Sequence, residues 1–116
     1  MNLSVIIPAY NEEKNIRSTV EGLVSVFRNK AFDDYEILIF NDKSTDKTGE
    51  IADNLAEEYK GVRVIHNPVN RGFGYNYKKG VDLAQGKYAL MIPGDDETDL
   101  GSIDSLLNSI GKADLI

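Results

Sequence analysis

A strand followed by a helix is encoded in residues 3–27, LSVIIPAYNEEKNIRSTVEGLVSVF. The apolar run at 3–8 predicts a buried strand that ends at Pro8, because proline has no amide hydrogen for the sheet. Asn11 can cap the helix that follows, and the acidic residues after it suit the positive end of the helix. The apolar residues of this helix recur at intervals that place them on one face. They are Ile16, Val20, Leu23, Val24 and Phe27.

The same alternation of strand and helix continues along the chain. Further apolar runs predict strands at residues 35–40, 62–65 and 87–92, and a fifth strand that begins at 113. A second helix, capped by Ser44 or Thr45, would bury Ile51, Leu55 and Tyr59 and end near Gly61. A third is predicted at 72–85, and a fourth would bury Ile103, Leu106, Leu107 and Ile110. Short connections between such elements predict a three-layer α/β/α fold with a mostly parallel sheet.

The composition indicates one globular domain, residues 1–116, with 41% hydrophobic and 28% charged residues. The net charge of −6 argues against a nucleic-acid partner, because no basic surface would meet the phosphates. The chain has no cysteine, which agrees with a cytoplasmic location. It also has neither a signal peptide nor an apolar run long enough to span a membrane. Since it ends inside an apolar run, we expect a longer protein, and membrane association only through a part beyond Ile116.

Ligands of parallel α/β sheets bind outside the carboxyl ends of the strands, which here are followed by residues 8–12, 41–44, 67–72 and 93–97. The turn after the first strand is not glycine-rich, which argues against a dinucleotide site. Asp95, Asp96 and Glu97 form an acidic cluster that could bind Mg²⁺. An equally good interpretation is a solvated acidic turn before a helix. His66 is expected to be a surface residue rather than a metal ligand.

Four segments together resemble family 2 glycosyltransferases. Residues 4–13, SVIIPAYNEE, are similar to the opening motif of the family, and 41–48, NDKSTDKT, to its second motif. Residues 70–88 are similar to the third block, and the Asp95-Asp96 region falls where the family has its metal-binding motif. The segments span essentially the whole chain in the expected order. The nearest branch by resemblance is the polyprenol-phosphate sugar transferases.

The resemblance implies a GT-A fold, a UDP- or GDP-sugar donor, and Mg²⁺ or Mn²⁺. Carried over by position, the nucleoside and nucleotide would be bound by Pro8, Tyr10, Glu12, Asn41, Asp42, Asn70 and Lys78. Asp42 would accept the imide N–H of uracil or guanine, and Lys78 would lie near the nucleotide, although a solvated helix lysine is an equal alternative. Asp95, with Asp96 and Glu97, would hold the metal that bridges the diphosphate.

Several positions depart from the family pattern. Asn41 stands where an aspartate is usual, and Pro93 replaces the first aspartate of the metal motif; a second alignment pairs Asp95 with Glu97. The carboxylate that would act as base in an inverting transfer is expected beyond Ile116. The candidate acceptor is a polyprenyl phosphate. We therefore expect the chain alone to bind donor weakly and to catalyse nothing. A nucleotide-sugar-binding module without transfer activity and a sugar nucleotidyltransferase remain alternatives.

Overall fold

The computed structural model describes residues 2–94 of the 116-residue chain. In this range the elements are β1 (Leu3–Ala9), α1 (Ile16–Asn29), β2 (Tyr35–Asn41), α2 (Thr48–Glu58), β3 (Val62–His66), α3 (Phe73–Leu83) and β4 (Tyr88–Met91). The predicted alternation of strand and helix is confirmed for these seven elements. The predicted fourth helix and fifth strand lie outside the described residues.

The four strands form one parallel sheet in the order β3-β2-β1-β4. From β1 the chain moves outward to β2 and β3 and then returns across the sheet to β4. Because strand–helix–strand crossovers are right-handed, this reversal puts α1 and α2 on one face and α3 on the other. The three layers of the predicted α/β/α arrangement are therefore present, with the sheet in the middle.

The main core lies between the sheet and helices α1 and α2. The predicted face of α1 is correct, since Ile16, Val20, Leu23, Val24 and Phe27 are all buried. Each such side chain contributes roughly 1.5–3 kcal/mol through burial. The face of α2 was predicted only in part. Leu55 is buried with Ala52 and Thr48, whereas Ile51 and Tyr59, which follows the helix, are half-buried and pack against the core.

The first strand was predicted to end at Pro8, and it does not. β1 continues to Ala9, and Pro8 is paired in register with Phe40 of β2. On the opposite side of β1, the amide of Ile92 donates to the carbonyl oxygen of Ile6. Pro8 lies two residues further along and faces that same side, where the pairing with β4 has already stopped. The missing amide hydrogen of Pro8 therefore falls at the end of a ladder, where a proline is tolerated.

Gly80 lets α3 lie directly on the sheet. A Cβ atom at this position would be 2.7 Å from Ile6 Cγ2, and Ile6 is fully buried in a central strand. We expect Gly80→Ala to lower the free energy of unfolding by about 2 kcal/mol, because the overpacked helix must move outward. Gly74, in the same helix, is the matched control, since no atom lies within 4 Å of the corresponding Cβ position.

Gly74→Ala should leave the free energy of unfolding unchanged or raise it by up to about 1 kcal/mol, because alanine favours helix. Urea unfolding of both variants, followed by circular dichroism, measures the difference. Equal stability of Gly80→Ala and Gly74→Ala would show that α3 does not pack closely against Ile6.

Candidate functional site

A cavity of about 400 Å³ opens at the carboxyl ends of β1 and β2. It is lined by residues from four separate parts of the chain: Pro8, Ala9, Tyr10, Glu12, Asp42, Asn70, Gly72, Phe73, Asn76, Pro93 and Gly94. Its volume is in the range of small-molecule sites in proteins. The structure thus brings five of the seven predicted nucleotide-binding residues to one cavity, namely Pro8, Tyr10, Glu12, Asp42 and Asn70.

Asn41 and Lys78 do not line this cavity. Successive residues at the end of β2 point to opposite faces of the sheet, so Asn41 faces away from the cavity that Asp42 lines. The amide of Asn41 accepts a hydrogen bond from the backbone N–H of Ser44 and lies 3.0 Å from Nδ1 of His66. Lys78 is an exposed residue of α3, two positions after Asn76, which faces the sheet.

Asp42 is buried and binds the loop that precedes α3. Its Oδ1 accepts hydrogen bonds from the backbone N–H of Arg71 at 2.7 Å and from Asn67 at 2.9 Å, and its Oδ2 accepts one from Gly72 N–H at 2.9 Å. Burial raises the pKa of Asp42, but the hydrogen bonds from Arg71, Asn67, Gly72 and Asn76 outweigh it and hold the pKa below its ordinary value. Asp42 is therefore ionised at neutral pH, and any ligand N–H would share its carboxylate with these donors.

Asn67 and Asn76 were not among the predicted nucleotide-binding residues, although Asn67 begins the segment 67–72 that was predicted to lie at the ligand edge of the sheet. The amide nitrogen of Asn67 donates to Asp42 and also to Oδ1 of Asn76, at 2.7 Å. Both asparagines are buried, and Asn76 lines the cavity. One signal was present in the sequence, because Asn76 and Gly80 are four residues apart and share the face of α3 that meets the sheet. A polar residue at such a position indicates a buried hydrogen-bond network.

Two exposed aromatic side chains line the cavity. Tyr10 is 51% exposed and Phe73 is 55% exposed, although phenylalanine is among the residues most often buried in proteins. Phe73 is not among the predicted nucleotide-binding residues. Together the two side chains offer apolar faces to a flat ring such as a nucleobase.

The loops after β1 and β2 are joined by hydrogen bonds. The backbone N–H of Asn11 donates to Ser44 Oγ at 3.0 Å, and Asn11 Oδ1 accepts from the backbone N–H of Thr45 at 2.8 Å. These three residues were predicted to cap helices, and that prediction is wrong: α1 begins at Ile16 and α2 at Thr48. The cap-type side chains act between loops instead, because the parallel strands bring the two loops together at one edge of the sheet.

A larger cavity, of about 750 Å³, lies at the amino ends of β2 and β3. None of the predicted site residues lines it. Its buried Glu36 accepts hydrogen bonds from Ser4 at 2.6 Å, Arg63 at 2.8 Å and the backbone N–H of Gln85 at 2.7 Å. The Glu36 carboxylate is thus occupied by protein donors, and this edge of the sheet is opposite to the one where parallel sheets bind ligands.

The predicted metal ligands Asp95, Asp96 and Glu97 lie outside the described residues. Within residues 2–94, no group of three His, Cys, Asp or Glu side chains could hold a metal ion. Gly94, which precedes the acidic cluster in the chain, lines the 400 Å³ cavity. His66 is half-exposed and lies between Asn41 and Asp53, with its Nε2 2.8 Å from Asp53 Oδ1.

Helices long and apolar enough to cross a bilayer are absent from residues 2–94.

The sequence of residues 4–116 matches the model of a protein family described as glycosyl transferase family 2. One relative, an uncharacterized glycosyltransferase of Escherichia coli K12 (YibD), is 40% identical over 82% of this chain and 26% of its own length. A dolichyl-phosphate beta-glucosyltransferase of Dictyostelium discoideum is 33% identical over 97% of this chain and 37% of its own length. The chain therefore spans between 26% and 37% of the length of these two relatives.

Solved structures share the fold. The crystal structure of S. aureus TarS 1–349 in complex with UDP-GlcNAc matches 97% of this chain and 32% of that one, with a TM-score of 0.80 and 26% identity. The mannosyltransferase PcManGT from Pyrobaculum calidifontis, in complex with GDP-Man and Mn²⁺, matches 81% of this chain and 27% of its own. Its TM-score is 0.71 at 21% identity, which shows a likeness of fold alone.

Proposed function

The chain belongs to glycosyl transferase family 2, and we propose that its 400 Å³ cavity binds the nucleoside part of a UDP- or GDP-sugar, the donor in transfer of the sugar to an acceptor. One observation carries this proposal. The same cavity is lined by residues from separate motifs of the sequence, namely Pro8, Tyr10, Glu12, Asp42 and Asn70. A cavity at the carboxyl edge of a parallel sheet is the usual place for such a ligand.

Each wall of the cavity suits a different part of a nucleoside. The rings of Tyr10 and Phe73 would pack against the flat base. The carboxylate of Glu12 would accept hydrogen bonds from ribose hydroxyls. Asp42 would accept the imide N–H of uracil or guanine, alongside the backbone donors of the loop before α3. The TarS structure supports a UDP-sugar. A GDP-sugar belongs to the proposal as well, because guanine carries an imide N–H that Asp42 could accept in the same way.

A divalent cation, Mg²⁺ or Mn²⁺, belongs to the proposal because the donor carries a charged diphosphate. The protein has a net charge of −6, and the predicted metal ligands Asp95, Asp96 and Glu97 are themselves acidic, so a diphosphate would be repelled without a cation. Their carboxylate oxygens are suitable ligands for such a cation. When bound, the cation would offset the negative charge of the nucleoside diphosphate as it leaves the sugar.

The proposed acceptor is a lipid phosphate of the polyprenyl type, and the proposed location is the cytosolic face of a membrane. The Dictyostelium relative, named a dolichyl-phosphate beta-glucosyltransferase, supports this choice. A carboxylate base, predicted beyond Ile116, would be needed for a hydroxyl acceptor, whereas the oxygen of a lipid phosphate is already ionised at neutral pH and would attack the sugar directly. Any membrane contact is also predicted beyond Ile116. Residues 2–94 are assigned only the donor half of the reaction.

Replacement of Tyr10 tests the proposal. We expect Tyr10→Ala to weaken the binding of UDP or GDP about tenfold or more, because an aromatic ring stacked on a base contributes roughly 1–3 kcal/mol. The control is Tyr77→Ala, since Tyr77 is 40% exposed on α3 but does not line the cavity. Isothermal titration calorimetry in the presence of Mn²⁺ measures both affinities. Failure of the wild-type protein to bind either nucleotide, or equal effects of the two substitutions, would contradict the proposed site.

A further inference from the structure

We infer that Thr48, a buried residue that does not line the cavity, is a positioning residue that holds Tyr10 and Glu12 in their binding conformation. This inference rests on the proposed function, because it assigns Tyr10 and Glu12 to nucleotide binding. It concerns the joined loops, defined as residues 10–15 after β1 and 42–47 after β2, together with Thr48, the first residue of α2. Thr48 acts through the backbone of the first loop and has no contact of its own with the ligand.

The hydroxyl of Thr48 forms a hydrogen bond with the backbone of Glu12, which is a cavity residue. The backbone N–H of Glu12 donates to Thr48 Oγ1 at 2.8 Å, while the side chain of Glu12 lines the cavity. The same hydroxyl donates to Asp46 Oδ1, and this orients its lone pairs toward Glu12. Asp46 also accepts a hydrogen bond from the backbone N–H of Glu13 at 3.3 Å. One buried hydroxyl therefore links both loops at Glu12, a residue of the cavity wall.

The first loop depends on these contacts for its shape. Asn11 has a positive φ of 54°, a conformation that residues other than glycine seldom adopt, with asparagine among the more tolerant of them. Its side chain accepts a hydrogen bond from Thr45 N–H, which together with the bond to Ser44 holds it in place. Tyr10 precedes Asn11 and Glu12 follows it, so a change in the conformation of Asn11 moves both cavity residues. The second loop is thus the support that selects this conformation.

The experiment compares Thr48→Val with Thr48→Ser. Valine has nearly the shape of threonine but offers no acceptor to Glu12 N–H, whereas serine keeps the hydroxyl. We expect Thr48→Val to weaken UDP and GDP binding in the presence of Mn²⁺ about tenfold and to accelerate amide hydrogen exchange at Glu12. Thr48→Ser should stay within about threefold of the wild-type affinity. In a Glu12→Ala background, the loss caused by Thr48→Val should be smaller, because one of the two positioned side chains is already absent.

Two results would overturn the inference. One is faster exchange at Glu12 in Thr48→Val with unchanged nucleotide affinity. The other is an equal loss of affinity in the valine and serine variants, which would exclude the hydroxyl as the cause. Should Thr48→Val fail to fold, Thr48→Ala provides the test, because alanine also removes the acceptor for Glu12 N–H and is smaller than valine. Thr48→Ala is expected to weaken binding about tenfold, and unchanged affinity would overturn the inference. Whether the wild-type protein binds UDP or GDP tests the proposed function separately from the role of Thr48.

Discussion

Replacement of Asp42 by alanine is expected to abolish measurable nucleotide binding and to lower the free energy of unfolding by about 2–4 kcal/mol. The backbone N–H groups of Arg71 and Gly72 would lose their acceptor, and Asn67 would lose one of its two acceptors. Arg71 and Gly72 would then be held less tightly at the cavity, although the hydrogen bond from the Asn70 side chain to the backbone carbonyl oxygen of residue 42 would remain. Urea unfolding and titration with UDP and GDP in Mn²⁺ measure the two effects.

Asp42→Asn separates charge from shape. The amide keeps one acceptor oxygen but turns an NH₂ group toward a backbone N–H, so we expect an intermediate loss of stability. Since the pKa of Asp42 is lowered in the folded protein, its contribution to stability is present above the ordinary aspartate pKa of about 3.9. That contribution is lost as the pH falls through the lower folded value. Wild-type stability in both Asp42 variants would show that the loop before α3 is held by other contacts.

Asp95→Asn is expected to remove most of the gain in nucleotide affinity that Mn²⁺ or Mg²⁺ provides. The substitution removes a charged oxygen ligand while almost preserving shape. Loss of a residue that only supports a metal ligand already costs about 10–100-fold in metal affinity, so loss of a ligand should cost at least as much. Titration of UDP and GDP with Mn²⁺ and with a chelator measures the gain in wild-type and variant proteins.

Glu97→Gln is the matched control for the metal prediction. Asp95 is a ligand in both alignments of the metal motif, whereas Glu97 is a ligand in one of them, so the smaller loss is expected for Glu97→Gln. Equal nucleotide affinity in chelator and in Mn²⁺, with binding measurable in both, would rule out a metal that bridges the diphosphate. Equal losses from Asp95→Asn and Glu97→Gln would contradict the ranking of the two ligands.

The periodicity of apolar residues was sufficient to predict the architecture. Runs such as Leu3–Ala9 and Tyr35–Asn41 are apolar almost throughout, which is typical of strands covered on both faces. The helical spacing from Ile16 to Phe27 placed one face of α1 in the core. These patterns are local, because the period of a strand or helix relates only residues that are near in sequence. The parallel sheet follows from their alternation, as does the edge of the sheet where a ligand site belongs.

The partners of the polar residues could be learned only from the tertiary structure. Asn11 has the properties of a helix cap, yet it bonds to Thr45, 34 residues away in sequence. Asp42 was predicted to accept an N–H of a nucleobase, and it also accepts a hydrogen bond from the backbone N–H of Arg71, 29 residues further along. A cap-type or acidic side chain satisfies its hydrogen bonds with whichever groups the packed loops present, and sequence spacing carries no information about that choice. The strand order β3-β2-β1-β4 brings these loops together at one edge of the sheet, and packing of the distant segments then decides which polar groups meet.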